Sequence, residues 1–303
     1  MLADPPVAPT DLGAEAARVA GEVDALFMFY LSDPGDARDR LFAAMRHAGI
    51  GGGKRLRPML TVASARLFGI DEDRALRAGA AIEAIHVYSL IHDDLPCMDD
   101  DDLRRGKPTV HRAYDEATAV LAGDCFHDLA FEILADPATH EDPFVRAELV
   151  LELARASGPN GMAGGQMLDL AAEGRALDMG AITHLQRMKT GALIEYAVEV
   201  ACIMGKVPPT ARTPYRGFAR DIGLAFQIAD DLLDHAGDEE AAGKRLQKDA
   251  DAGKATFVSL LGEERARQQC ELLVDQAIAH LKAHGEEADL LRAIARYINE
   301  RDR

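Results

Sequence analysis

The chain has 303 residues, 48% of them hydrophobic, with no tryptophan and a formal charge of −17 at neutral pH. That length can bury a sizeable core, the Ala-, Leu- and Glu-rich composition favours helix over sheet, and no alternating β-branched run reads as a strand. The charge argues against a nucleic-acid backbone or an anionic membrane surface as partner, and no uncharged apolar run reaches the ~18 residues of a bilayer span.

Cys97, Cys125, Cys202 and Cys270 are scattered and form no CxxC pair, so they read as reduced core thiols of a cytosolic protein. The opening MLADPPVAPT lacks the charged and apolar regions of a signal peptide, and residues 1–12 are expected to be a frayed leader. Helical periodicity then covers 13–48 in two pieces, divided by the turn SDPGD at 32–36. In GIGGGKRLRPML, at 49–60, three successive glycines precede Lys54, Arg55 and Arg57. Such a turn can bring backbone and cations close to an anion, although it lacks the Walker A spacing. A helix end followed by a solvated basic turn is the alternative.

Helices are expected over 57–69 and 74–94. The second is apolar on nearly every side through Ile82, Ala84, Ile85, Val87, Tyr88, Leu90 and Ile91, which places it inside the protein. Pro96 disfavours helical geometry at Leu95, so the helix should stop at Asp93 and Asp94; Asp99 to Asp102, Arg104 and Arg105 follow. Carboxylates at the inner end of an apolar helix repel one another and resist desolvation. A hard cation with oxygen ligands removes that penalty, and magnesium is suited where a phosphate completes the shell. A calcium loop of the EF-hand kind fails on spacing, because the twelfth position from Asp93 is Arg104; a solvated acidic turn stays open. His86 shares the face of Asp93 two turns further in.

RRGKPTVH at 104–111 offers two adjacent guanidinium groups suited to phosphate. Residues 113–135 and 143–157 read as helices, and GPNGMAGGQMLDL at 158–170 turns helical with Gln166 and Asp169 on one face. A helix over 181–205 is interrupted in its apolar pattern by Lys189, Thr190 and Gly191, and a Lys on the buried side needs an anionic partner. After a loop at 208–214, residues 218–234 form a second apolar helix carrying Asp230, Asp231 and Asp234, with Gln227 one turn before Asp230. Two acidic clusters ending two apolar helices suggest two walls of one cavity that grip metal ions and a highly charged ligand. Residues 235–262 begin as a loop with Lys244, Lys248 and Lys254, and 263–282 and 287–300 are amphipathic helices. No linker divides the chain, which reads as one domain over 1–303.

Together HDDLPCMDDDDLRRGKPTVH, GGGKRLRP, GMAGGQMLDL, MKTGALI, FQIADDLLD and the GKxxxKDxxxGKAT pattern resemble the trans-isoprenyl diphosphate synthases, nearest to their bacterial farnesyl-forming members. The resemblance spans residues 15–300 with the motifs in the family's order. It implies an all-α bundle of ten or more helices around a deep central cavity, usually as a homodimer. It also implies head-to-tail condensation of isopentenyl diphosphate with dimethylallyl or geranyl diphosphate, assisted by magnesium with three ions per site. Carried over by motif, Asp93, Asp94 and Asp99 would bind metal from one wall and Asp230, Asp231 and Asp234 from the other. Arg104, Lys189, Lys244 and Lys254 would contact the allylic diphosphate, and Lys54, Arg57, His86 and Arg105 the isopentenyl diphosphate. Thr190 and Gln227 would lie near the carbon that becomes positive.

Tyr88 and Ser89 lie about 6–8 Å deeper than Asp93 along the helix. An aromatic there, with Pro96 and Cys97 lengthening the first motif, resembles the farnesyl-forming pattern and implies that growth stops at C15. A geranyl or geranylgeranyl synthase would differ only in cavity depth. A class I terpene cyclase would carry a different second motif, and a non-catalytic subunit would have lost aspartates. Gln247 stands where the family commonly has Gly, and Phe257–Val258 replaces Tyr–Pro; both bear on closure beside the second cluster.

Overall fold

The computed structural model describes residues 11–172, 174–175, 177–236 and 256–300. The described residues are predominantly helical and bury one continuous apolar cluster drawn from both ends of the chain. Helix α1 (Leu12–Tyr30) begins where Asp11 accepts the Ala14 amide, so the last residues of the expected leader already start the fold; residues 1–10 lie outside the description. Helices α2 (Asp39–Gly49) and α3 (Leu56–Arg66) lead to α4 (Glu72–Asp93), which Asp71 caps through the Arg74 amide.

Helix α4 is the central rod. Every residue from Ala78 to Ile85 is buried, as its lack of a polar face demands. Small residues let its neighbours close in: a Cβ on Gly79 would stand 3.0 Å from the Pro58 Cα, so α3 lies almost in backbone contact. On another side runs α6 (Glu116–Ala135), capped by Asp115. It is antiparallel to α4, because Gly123 near its start receives His92 while Asp136 just past its end pairs with Arg77.

The sequence expects no strand, yet Leu103–Arg104 and Lys107–Pro108 form a two-residue antiparallel ribbon, followed by the short α5 (Val110–Ala113). Its tight turn uses positive φ at Arg105 (53°) and Gly106 (75°), the backbone pattern that matches strand twist in two-residue hairpins. Helices α7 (Pro143–Ser157) and α8 (Met162–Ala172) follow. The single helix expected over 181–205 is instead α9 (Met179–Gln186), a π-turn (Arg187–Gly191) and α10 (Ala192–Met204), a second almost wholly buried rod. Helix α11 (Thr213–Ala236) packs on α10 and on the π-turn. The short α12 (Phe257–Leu261), α13 (Glu263–His280) and α14 (Asp289–Glu300) close the bundle, with α13 laid along α11. Of the cysteines, Cys202 and Cys270 are core thiols as expected. Cys97 is exposed instead, because it follows Pro96 in the turn that leaves α4.

Candidate active site

At the C-terminal end of α4 the chain folds back on itself. The Asp99 amide donates to the Asp93 carbonyl (2.8 Å) and the Asp101 amide to the Asp94 carbonyl (3.3 Å), so the residues after Pro96 return to the pair that ends the helix. Asp94 is 3% exposed; its Oδ1 accepts from Nε of Arg104 (2.7 Å) and pairs with Nη2 of the same guanidinium at 2.6 Å. Burial nevertheless raises its carboxyl above the usual range. Asp93 is half-buried, and burial pushes it up to about 6; Asp99 and Asp94 add to the rise while Lys189 and Arg104 oppose it. A carboxylate raised this way by desolvation and like charge, in a cleft with specific cations, is the electrostatic mark of a ligand-binding site.

The Gly-rich loop is folded by its own cations. Gly51 and Gly53 take positive φ (70° and 84°), and the Gly51 amide donates to Asp24 (2.9 Å). Arg55 points inward: Nη1 donates to Glu83 (2.8 Å), Nη2 to Asp24 (2.6 Å) and to the Gly49 carbonyl, and its guanidinium sits over the Phe27 ring. The Arg105 guanidinium presses on the loop so closely that a Cβ on Gly53 would come within 2.5 Å of it. Lys54 is exposed at the loop's edge, and a small cavity of about 60 Å³ lies among Gly52, Asp94, Arg104 and Arg105.

Arg57, the second residue of α3, has a buried Nε with no partner. Burial and Arg105 push its guanidinium down, against the pull of Glu83 and Asp230. His86 faces the same group. Burial, then the charges of Arg57, Arg105, Arg104 and Arg55, hold its imidazole well below the usual range, so it is neutral at pH 7. Cations crowded into one pocket with an unmet donor call for an anion.

The opposite wall is the π-turn with α11. Short π segments interrupt α-helices most often at functional sites, and this one presents Lys189, whose Nζ pairs with Asp169 of α8 at 2.7 Å. Gly165 permits that approach, since a Cβ there would meet the Lys189 amide nitrogen at 2.2 Å. Nearby, the Gln166 Oε1 is buried without a partner. Gly223 of α11 rests against Gly191, which sets Thr190 beside the stretch of α11 that carries half-buried Gln227, Asp230 and Asp234. Asp230 acts on the Arg57 guanidinium and Lys189 on the Asp93 carboxyl, so charges of the two walls face one another.

The six expected metal-binding aspartates divide. Asp231 is 8% exposed and its Oδ2 accepts the Phe257 amide (2.8 Å), so it ties α11 to α12, much as Asp94 is tied to Arg104. Asp93, Asp99, Asp230 and Asp234 keep partial exposure. Among the described residues, no three His, Cys, Asp or Glu side chains form a ready-made metal cage. The donors on both walls are carboxylate oxygens, which magnesium takes one or two at a time while drawing its other ligands from water and substrate phosphate. Lys244, Gln247, Lys248 and Lys254 lie outside the described residues. Phe257 and Val258 are buried at the start of α12, below a capping box of Thr256 and Ser259.

Below Asp93, Tyr88 borders a cavity of about 810 Å³ with His127, Phe131, Met167 and Met188, a volume within the range of small-molecule sites. Ser89 is half-buried and donates its hydroxyl to the His86 carbonyl (2.9 Å).

The sequence reading missed the roles of Arg55, Glu83 and Asp24. A signal existed: a lone Glu inside an all-apolar helix needs a buried cation, and only a sequence-distant one was available.

Residues 38–297 match the polyprenyl synthetase family model. The chain is similar to farnesyl diphosphate synthase of Escherichia coli K12, at 46% identity over 264 residues that cover 86% of this chain and 88% of that one. It is also similar to geranylgeranyl pyrophosphate synthase 3 of Arabidopsis thaliana, at 44% identity, covering 84% of this chain and 72% of that one. Among solved structures, that of an FPP/GFPP synthase from Zymomonas mobilis superposes with a TM-score of 0.88 at 56% identity, over 95% of this chain and 99% of that one.

Proposed function

The chain belongs to the polyprenyl synthetase family, and we propose that it condenses isopentenyl diphosphate with dimethylallyl or geranyl diphosphate to give farnesyl diphosphate and diphosphate. The observation that carries this reading is the buried, unpartnered Nε of Arg57, together with a Gly-rich loop under the Arg105 guanidinium and the Arg104–Asp94 pair at the end of α4. Two acidic helix ends and two cationic groups around one cleft fit two diphosphate esters side by side.

The allylic diphosphate would lie against Lys189 and Arg104, and the isopentenyl diphosphate against Lys54, Arg57, Arg105 and neutral His86, which donates a hydrogen bond without adding charge. Magnesium, held by Asp93, Asp94 and Asp99 from one wall and by Asp230, Asp231 and Asp234 from the other in an expected set of three ions, would supply charge neutralisation to the departing diphosphate. The allylic C–O bond breaks with its electron pair leaving on diphosphate. Preorganised cations and dipoles stabilise this separation best where water is excluded, and the buried rods α4 and α10 provide that enclosure. Thr190 and Gln227 offer neutral oxygen dipoles to the allylic cation. The terminal double bond of isopentenyl diphosphate then attacks that carbon, and loss of one proton to the released diphosphate restores a double bond. No nucleophilic side chain is needed. We further propose that the protein is a single-domain, cytosolic homodimer; among the described residues no helix is long and apolar enough to cross a membrane.

The test is an incubation with isopentenyl diphosphate, either primer and magnesium, followed by product sizing. C15 is expected, and chelation of the metal should abolish it. Recovery of primer alone would sink the synthase reading, and a dominant C20 product would replace farnesyl with geranylgeranyl. Tyr88→Ala should lengthen the product; an unchanged C15 product would remove Tyr88 from the stop.

A further inference from the structure

We propose that Asp24 of α1, which carries none of the substrate contacts assigned above, is a positioning residue that sets the affinity of the Gly-rich loop for isopentenyl diphosphate and leaves the allylic side unaffected. The inference rests on the two-substrate reading proposed above. Local propensity does not favour the loop's shape. Gly51 and Gly53 take left-handed backbone angles, and so does Arg55 (φ 46°), whose Cβ opposes that conformation. Backbone held against its preference persists only where surrounding contacts over-determine it, and such positions cluster at ligand clamps. Helix α1 supplies the contacts here. Asp24 Oδ2 accepts the Gly51 amide at 2.9 Å, and its Oδ1 accepts Nη2 of Arg55 at 2.6 Å. Phe27, one turn on, sets its ring 5.7 Å from the centre of the same guanidinium. Glu83 of α4 and the Gly49 carbonyl accept from that guanidinium too.

The fixed loop in turn fixes the cations beside it. Arg57 stands two residues after Arg55, so the left-handed turn at Arg55 sets the direction in which α3 and Arg57 leave the loop. Arg105 lies against the loop: a Cβ would meet its guanidinium at 2.5 Å on Gly53 and at 3.3 Å on Gly52. Both arginines assigned to isopentenyl diphosphate therefore depend on the loop. The allylic cations are held elsewhere, Arg104 by Asp94 and Lys189 by Asp169. Asp24 joins the first glycine of the loop to its inward arginine, one oxygen to each. Without that bridge the loop samples other conformations, and apparent affinity falls with the fraction that stays competent. Only one substrate's cations rest on the loop, so only one substrate should bind more weakly.

Michaelis constants for both substrates would be measured in wild type, Asp24→Ala, Asp24→Asn, Asp24→Glu and a control, Asp33→Asn, which breaks the Arg46–Asp33 pair of the same 2.6 Å length. Asp24→Ala should raise the KM for isopentenyl diphosphate about tenfold, the effect of one lost charge-assisted hydrogen bond. Its kcat and allylic KM should stay within about twofold, the spread of a single lost contact elsewhere. Asp24→Asn keeps one acceptor oxygen and should fall between, while Asp24→Glu keeps two and should lie nearest wild type. Asp33→Asn should change neither constant. A merely structural role would move both constants together, or the melting temperature alone. Equal rises in both KM values, or an unchanged KM for isopentenyl diphosphate in Asp24→Ala, would overturn the proposal. Where Asp24→Ala does not fold, the isosteric Asp24→Asn decides by the same comparison, at a side chain that is partly exposed. Metal-free calorimetry with inorganic diphosphate separates this inference from the functional reading. If wild type elongates no primer but binds diphosphate, and Asp24→Ala binds it several-fold more weakly, the functional reading fails and the loop's dependence on Asp24 stands. Equal binding by the two proteins, or none by either, overturns that dependence.

Discussion

The two aspartate clusters are alike in composition and differ in what supports them. Helix α4 stops at Asp93, and a reversing loop brings Asp99 back against it, so the first cluster is made by a turn. Helix α11 runs straight through Asp230 and Asp234, so the second is made by helical periodicity. In both, the middle aspartate is the more buried and has a partner in the protein: Arg104 for Asp94, the Phe257 amide for Asp231. Adjacent helical residues point about 100° apart, so neighbouring carboxylates cannot both face one ligand squarely. The supports are unequal in kind, since Asp94 takes the Arg104 guanidinium and Asp231 accepts the Phe257 backbone amide.

That inequality can be broken experimentally. The largest effect is expected from Arg104→Ala, which leaves Asp94 buried without its cation and should cost about 3 kcal/mol or more in denaturant unfolding, besides activity. A loss below ~1 kcal/mol would show that Arg104 does not hold this wall. The outer aspartates should matter for rate: Asp93→Asn and Asp230→Asn should each lower kcat/KM by about 10²–10³, and a tenfold gap between them would show that the walls contribute unequally.

Asp93→Asn should also stabilise the metal-free protein. The folded carboxyl titrates at about 6, above an ordinary value of 3.8. Ionisation therefore penalises the fold, a penalty complete above about pH 6 and absent below about pH 4. The expected gain is about 2 kcal/mol at pH 7 and none at pH 4, allowing for partial solvent exposure, and thermal melts without metal at both pH values would measure it. The smallest effect should come from Asp231→Asn, whose amide oxygen can still accept from Phe257, at about 1 kcal/mol. A loss equal to that of Arg104→Ala would erase the distinction between the two walls.

Much of this was legible from residue order. The all-apolar pattern of α4 requires burial, Pro96 ends it at the aspartates, and the acidic motifs with Lys54, Arg57, His86, Lys189 and Gln227 mark the site. Other features depend on contacts that sequence spacing does not encode. The break at 187–191 arises where Gly165 lets α8 press on the Lys189 backbone, and the ribbon at 103–108 turns Arg104 toward Asp94 while Arg105 lies on Gly53.

Periodicity thus determined which helices are buried and where charge accumulates, because both follow from the free energy of taking apolar and ionised groups out of water. Only the tertiary structure decided which aspartate of each pair is the more buried, that Arg55 pairs with Glu83, and that the Tyr88 ring meets a ring of α6. Those choices are pairings between residues far apart in the chain, and the partner is fixed by packing rather than by local propensity.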